Sequence, residues 1–172
     1  MVTLVGMQGN FESALKELVE LDYDAIEAYE AAINRLENGR YKDVLNGFKA
    51  DHQRHVTDLS GLLKKHNQEP PTGPSIGKQW LTKGKVVLAN LVGDDAILAA
   101  MSSNEDDTNT AYERMNERLD KWEDAVEILK RGLTDEKRHK AWLAGSHSQG
   151  GNSRNKSEDV DAETSTTSEI ET

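Results

Sequence analysis

Two short runs of the chain carry acidic and histidine side chains at the same spacing. The run DHQRH (residues 51–55) is matched 84 positions later (136 − 52) by DEKRH (residues 135–139). Each run places two of these side chains at i and i+3, on one face of a helix. Surface or ion-pair roles suffice for Arg54 and Arg138, and Asp51 points to the edge of its apolar stripe. The remaining carboxylates and imidazoles are ligand types that suit iron, zinc and manganese.

A second pair of matched segments precedes these runs. The tripeptide AYE at 28–30 recurs at 111–113, 83 positions later (112 − 29), and the same offset sets Asp22 opposite Glu105. Two matches at nearly one offset indicate an internal duplication. The candidate metal ligands are therefore Asp22, His52, His55, Glu105, Glu136 and His139.

Helical periodicity places these residues on four amphipathic segments. The predicted helices span about 11–37, 41–66, 94–119 and 122–143. Asp22, His52, Glu105 and Glu136 each fall within the apolar stripe of their own segment. Burying an unpaired carboxylate costs several kcal/mol, so these groups must satisfy one another or share a cation. Without a cation the clustered carboxylates repel, and at least one of them should keep its proton.

The links between the predicted helices differ in length. Short links join the first helix to the second and the third to the fourth, which predicts two antiparallel hairpins. The link over 68–93 can cross from one end of a bundle to the other, and its apolar run at 86–91 suits a short helix. The predicted organisation is an extension over 1–9, a bundle over 10–145 and a disordered, acidic, Ser/Thr-rich tail over 146–172.

The composition limits the classes of function. The chain has no cysteine, which excludes disulfides, thiolate metal sites and iron–sulfur clusters. A formal net charge of -10 disfavours nucleic acid and anionic membranes as partners. No stretch approaches the roughly 20 apolar residues of a membrane span. The first residues lack a signal-peptide pattern, so we expect a cytoplasmic protein.

These features resemble the ferritin-like superfamily of di-iron carboxylate proteins, including rubrerythrins, over about residues 10–144. The runs LDYDAIEAY, DHQRHV, NEDDTNTAYE and DEKRH are similar to those of a bacterial branch of ferritin-like proteins. The resemblance implies an all-α, ferritin-like four-helix bundle made of two duplicated antiparallel hairpins with a long crossover. In that superfamily two helices each give one Glu, and the other two each give a Glu-x-x-His.

The second half of the chain fits that pattern. Glu105, Glu136 and His139 match the superfamily's ligands residue for residue. Tyr112 looks like the rubrerythrin tyrosine that sits beside a metal-binding Glu, and Tyr29 repeats it in the first half. The resemblance therefore implies that both tyrosines lie next to the ligands rather than among them.

The first half departs from the pattern. Asp22 stands where the superfamily has a Glu, and His52 stands where it has a bridging Glu. Only Glu136 is then left to bridge two metals. The alternatives are a mononuclear site on the side of Glu105 and His139, or an asymmetric pair whose weaker position is made by the first half.

The leading functional hypothesis is an iron-binding protein, with zinc or manganese as alternative metals. It would oxidise Fe(II) with O2 or peroxide, in oxidative stress or iron handling, through an open coordination position. Electrons would come from an external donor or from Fe(II) itself. The alternative is a non-catalytic scaffold or assembly protein with a metal-free polar core, so the sequence leaves enzymatic activity open. A homodimer and a docking role for the tail are further alternatives.

Overall fold

The computed structural model describes residues 3–74 and 91–150, with side chains up to residue 146 in the last helix. Its four α-helices are α1 (Phe11–Arg35), α2 (Gly39–Lys65), α3 (Asp94–Glu117) and α4 (Val126–Gly150), the last preceded by a 3-10 turn at Glu123–Ala125. The described ranges contain no strand, which confirms the predicted all-α four-helix bundle. Within these ranges no helix combines the length and the apolar character that a membrane span needs.

Polar side chains fix the helix ends around the link between α1 and α2. Asn38 caps α2, because its side chain accepts hydrogen bonds from the backbone N–H groups of Arg40 and Tyr41. Asp94, at the start of α3, accepts from the backbone N–H groups of Glu37 and Asn38 at 2.8 and 2.9 Å. The start of α3 is therefore held against the α1–α2 link.

Helix α4 extends further than its sequence pattern predicts. The expected end lay near Leu143, before Gly145, but the helix continues to Gly150. A glycine inside a helix costs only about 1 kcal/mol relative to alanine, so it does not stop a helix by itself. Ser146 donates a hydrogen bond to the carbonyl of Trp142 at 2.9 Å within the added turn. Residues 146–150 of the predicted tail are thus helical, and the rest of the tail lies outside the described residues.

Two apolar clusters, one at each end of the bundle, show how the helices run. One cluster joins the start of α1 to the ends of α2 and α3 and the start of α4, with members Phe11, Leu63, Met115 and Leu129. The other joins the end of α1 to the starts of α2 and α3 and the end of α4, with members Leu36, Leu45, Ile97 and Leu143. Helix α1 is therefore antiparallel to α2 and α3, and α4 is antiparallel to both of these.

The same clusters establish the crossover. Helix α2 ends at one end of the bundle and α3 begins at the other, so the link between them joins opposite ends. This confirms the long crossover that the sequence predicts. The short helix predicted over 86–91 lies outside the described residues except for Leu91, which is not helical.

The segment before α1 packs along α3. Val5 is buried in the first apolar cluster, and Arg118 donates to the carbonyls of Gly6 and Gln8 at 2.9 Å each. Gly6 has a φ of +91°, and a Cβ there would lie 2.7 Å from the Cβ of Arg114. Glycine is the residue that accepts both this backbone conformation and this close approach.

Candidate metal centre

Between the two apolar clusters lies a layer of buried polar side chains. Helix α1 contributes one of them, α2 two, α3 one and α4 two: Asp22, His52, His55, Glu105, Glu136 and His139. None of these residues exposes more than 3% of its surface. The structure thus brings together all six residues that the sequence selected, and their role as ligands stays a prediction.

The six residues form two overlapping groups, each of which has four possible ligand atoms within 4.8 Å of one another. The first group is Asp22, His52, His55 and Glu136. The second is His52, Glu105, Glu136 and His139. His52 and Glu136 belong to both groups. The sequence had assigned His52 to the first half alone, because a linear repeat does not show which neighbours a side chain meets across the bundle.

The first group is held together by hydrogen bonds to Asp22. Its Oδ1 lies 2.9 Å from Nδ1 of His52 and 3.4 Å from Nδ1 of His55. Oε1 of Glu136 lies 3.6 and 3.5 Å from the same two nitrogens. Asp22 thereby stands between the two histidines of α2 and compensates their burial.

The second group contains polar atoms that lack a hydrogen bond of normal geometry. These atoms are Nε2 of His52, Nδ1 of His139 and both side-chain oxygens of Glu136. Nε2 of His52 lies 3.8 Å from Oε1 of Glu105, and Nδ1 of His139 lies 3.6 Å from Oε2 of Glu105. Leaving a buried polar group unpaired costs free energy, and a cation bound by one atom from each residue of the group would lower that cost. The residues present therefore fit a metal ion.

Each half of the bundle supplies a tyrosine to the carboxylate of the other half. Tyr29 donates from its hydroxyl to Oε1 of Glu105 at 2.5 Å, and Tyr112 donates to Oδ2 of Asp22 at 2.8 Å. Burial raises the pKa of both tyrosines well above the usual value, and the facing carboxylates raise it further. Both hydroxyls therefore remain protonated donors, next to the candidate ligands as the resemblance implies.

Two aspartates hold the outer nitrogens of the two i+3 histidines. Nε2 of His139 lies 3.0 Å from Oδ2 of Asp51, and Nε2 of His55 lies 3.2 Å from Oδ2 of Asp135. At His139, whose Nδ1 lacks a hydrogen bond, donation from Nε2–H to Asp51 leaves Nδ1 with its lone pair, directed to the centre. Sequence analysis missed this role of Asp51 and Asp135, although both repeat at the offset of 84.

Two arginines connect these aspartates into a ring of four charges. Arg54 donates to Oδ1 of Asp51 at 2.7 Å and to Oδ2 of Asp135 at 2.5 Å. Arg138 lies 3.0 Å from Oδ1 of Asp135 and also donates to Asp51. Each arginine thus bridges α2 and α4. The ring holds the two aspartates in place, and its contacts are of the ion-pair kind that the sequence allowed for both arginines.

Burial and charge set the protonation of the centre. Burial raises the pKa of Glu136 well above its usual value; the charge of His52 opposes this, and Glu105 and Asp22 add to it. Burial alone would raise the pKa of Asp22, but hydrogen bonds from His52 and His55 lower it overall. Burial alone would lower the pKa of His52, but the charge of Glu136 and the bond to Asp22 raise it well above its usual value. A proton is therefore held among the clustered carboxylates, as expected from their repulsion.

The four helices and the long crossover define a ferritin-like fold, with this layer of candidate ligands at its centre. The chain belongs to the DUF2383 family, described as a domain of unknown function, whose model matches residues 10–118. No curated protein matches the chain.

Two solved structures share the fold. One is described as ferritin like, diiron-carboxylate proteins from Bacillus anthracis str. Ames; it has 22% identity and a TM-score of 0.64, and the alignment covers 80% of this chain and 94% of that one. The other is a conserved hypothetical protein, rv2844, from Mycobacterium tuberculosis, with 14% identity and a TM-score of 0.65, covering 81% and 98%.

Proposed function

We propose that this protein binds a metal ion in the centre of the bundle and oxidises Fe(II) there with O2 or peroxide. The observation that carries the proposal is the set of unpaired, fully buried atoms on His52, Glu136 and His139, which face one another without hydrogen bonds. A polar core that needed no metal would be expected to pair these atoms. The similarity to a structure named as a diiron-carboxylate protein supports the same choice.

The residues present suit iron as a substrate. The buried carboxylates of the centre favour Fe(III) over Fe(II), because their negative charge stabilises the higher charge of the metal. With peroxide as oxidant, each H2O2 takes one electron from each of two Fe(II) ions and, with two protons, gives two water molecules. The chain has no cysteine for a second redox centre, so the electrons come from Fe(II) or from a separate donor.

The buried tyrosines and aspartates would support this chemistry without reacting. Tyr29 donates to Glu105 and Tyr112 donates to Asp22, so each fixes a carboxylate at the centre. Asp51 holds His139 with its Nδ1 directed inward. Fixed side chains bind a metal ion at a smaller entropic cost than mobile ones.

The test uses protein purified without an affinity tag, stripped of metal and loaded with Fe(II) under anaerobic conditions. On addition of O2 or H2O2, the wild type should form Fe(III) faster than buffer and consume the oxidant in proportion. Glu136→Gln should lose most of this rate, because it removes a charged ligand of similar size. Glu30→Gln, the same change at an exposed position of α1, is the matched control and should react like the wild type. Equal rates for the wild type and Glu136→Gln would contradict the proposal.

The second candidate is a scaffold with a metal-free polar core. It is favoured by the first group, where both oxygens of Asp22 accept hydrogen bonds, one from Tyr112 and one from His52. Elemental analysis of the untagged wild type and of Glu136→Ala separates the candidates. A scaffold should hold no stoichiometric metal in either protein, whereas a metal protein should lose its metal in the variant.

A further inference from the structure

We propose that the bundle gives one metal ion, not two, a full set of protein ligands, and that this ion lies among His52, Glu105, Glu136 and His139. The inference rests on the proposed metal binding and adds its position and stoichiometry. It assigns Asp22 to orienting His52 rather than to coordination. This metal centre would then differ from a symmetric dinuclear centre, in which both halves of the bundle supply equivalent ligands.

His52 limits the number of metal ions that the centre can bind. Its Nδ1 faces the first group, 2.9 Å from Oδ1 of Asp22 and 3.6 Å from Oε1 of Glu136. Its Nε2 faces the second group, 3.8 Å from Oε1 of Glu105. A neutral imidazole has one lone pair and one N–H, so it can ligate a metal in one group only. A glutamate at this position could offer an oxygen to each side, which a neutral histidine cannot do.

Asp22, the carboxylate of the first half, has both of its oxygens engaged in hydrogen bonds. Oδ1 of Asp22 accepts from His52, and its Oδ2 accepts from Tyr112 at 2.8 Å. Nε2 of His55 lies 3.2 Å from Oδ2 of Asp135, and its Nδ1 lies 3.4 Å from Oδ1 of Asp22, the oxygen that already accepts from His52. A metal entering this group would have to break bonds that are already formed.

In the second group, Glu105 accepts a hydrogen bond from Tyr29 at 2.5 Å, but the two imidazole nitrogens are open. Nδ1 of His139 and Nε2 of His52 are fully buried and lack a hydrogen bond. The other nitrogen of each ring is bonded to an aspartate: Nε2 of His139 to Asp51 at 3.0 Å, and Nδ1 of His52 to Asp22 at 2.9 Å. A carboxylate that accepts from the outer nitrogen of a ligand histidine orients its ring and increases its basicity. Both histidines are therefore arranged to ligate one ion together with Glu105 and Glu136.

The internal repeat supplies a matched pair of variants for the test. His139→Ala and His55→Ala remove the same side chain from equivalent positions, each bonded to an outer aspartate. Zinc is the probe, because it binds the same ligand types and has no redox chemistry. The full chain is dialysed against zinc, its zinc content is measured, and its affinity is found by competition with a chelator. Helix content by circular dichroism checks that both variants fold.

The wild type should retain one zinc ion per chain, with its anomalous diffraction peak among His52, Glu105, Glu136 and His139. His139→Ala should lower the zinc affinity by about 100-fold or more, and His55→Ala by less than about tenfold. Two zinc ions per chain, a peak beside Asp22 and His55, or a larger loss in His55→Ala would overturn the inference while leaving metal binding in place. Wild-type protein that binds no zinc and no Fe(II) would overturn the proposed function as well. Diffraction from the wild type decides the question even if a variant does not fold.

Discussion

The ring of Tyr112 lies directly against the backbone of α4 at Gly132. A Cβ at Gly132 would overlap this ring, with its distance to Cδ1 only 2.9 Å. The hydroxyl of Tyr112 donates to Asp22, which in turn holds His52. A glycine on one helix therefore sets the position of a donor on another, and through it the orientation of a candidate ligand.

The equivalent position in the first half is not a glycine. Phe48 precedes Gly132 by the repeat offset of 84, and its ring stacks on His139 with 4.1 Å between centroids. On the other side, the ring of Tyr112 lies 5.2 Å from that of His55. Tyr29 lies 6.3 Å from His139, so each histidine has a tyrosine nearby, and the stacked ring of Phe48 is what distinguishes His139.

The first prediction concerns this glycine. Gly132→Ala should displace Tyr112, break its bond to Asp22 and destabilise the protein by about 1–3 kcal/mol, the usual cost of overpacking a core. Chemical denaturation measures the change. Gly47→Ala is the matched control, since Gly47 is exposed in the middle of α2 and a Cβ there meets nothing within 4 Å. It should stabilise the fold by about 0.5–1 kcal/mol. Equal effects of both substitutions would show that Tyr112 adjusts without cost.

The second prediction concerns metal-dependent stability. Zn(II) or Fe(II) should raise the melting temperature, because the ion binds the folded state and neutralises its crowded carboxylates. Glu136→Ala should abolish most of this rise, and so should His52→Ala, because both residues belong to the proposed ligand set, whereas His55→Ala should remove only part. Thermal unfolding with and without metal, followed by circular dichroism, gives both values. No rise in the wild type would favour the metal-free scaffold.

The third prediction compares the two outer aspartates. Asp51→Asn should lower zinc affinity by about 10–100-fold, the range measured when a ligand histidine loses its carboxylate partner. Asp135→Asn should lower it less, because His55 lies outside the proposed ligand set. Both substitutions break the same ring with Arg54 and Arg138, so their effects on folding should be similar. Chelator competition measures the affinities, and equal losses would argue for two equivalent metal positions.

The fourth prediction restores the superfamily residue. His52→Glu replaces an imidazole that serves one group with a carboxylate that can serve both, so the variant should bind two metal ions per chain. It should also oxidise Fe(II) faster than the wild type. Metal analysis and the rate of Fe(III) formation are the measurements. A variant that still binds a single ion would show that nuclearity is set elsewhere in the centre.

The sequence by itself determined which side chains enter the core. Asp22, His52, Glu105 and Glu136 interrupt apolar stripes of helical period, and burial of a stripe carries its polar members inward whatever the helices contact. The offset of 84 paired the two hairpins, and the length of the 68–93 link was sufficient to predict the crossover. The end of α4 was predicted too early because of Gly145. The cost of about 1 kcal/mol for one glycine in a helix is too small to end it.

Only the tertiary structure decided which of these side chains meet. Tyr29 reaches Glu105, Tyr112 reaches Asp22, and each outer aspartate reaches a histidine on the facing helix. All of these pairs join one hairpin to the other, so they depend on the rotation and height at which the hairpins pack. That geometry is set by how the side chains of facing helices fit together. The periodic pattern of a single helix carries no information about this fit. For the same reason, the sequence could not show which group each ring nitrogen of His52 meets. The choice between the two metal positions therefore depends on the packing of the four helices.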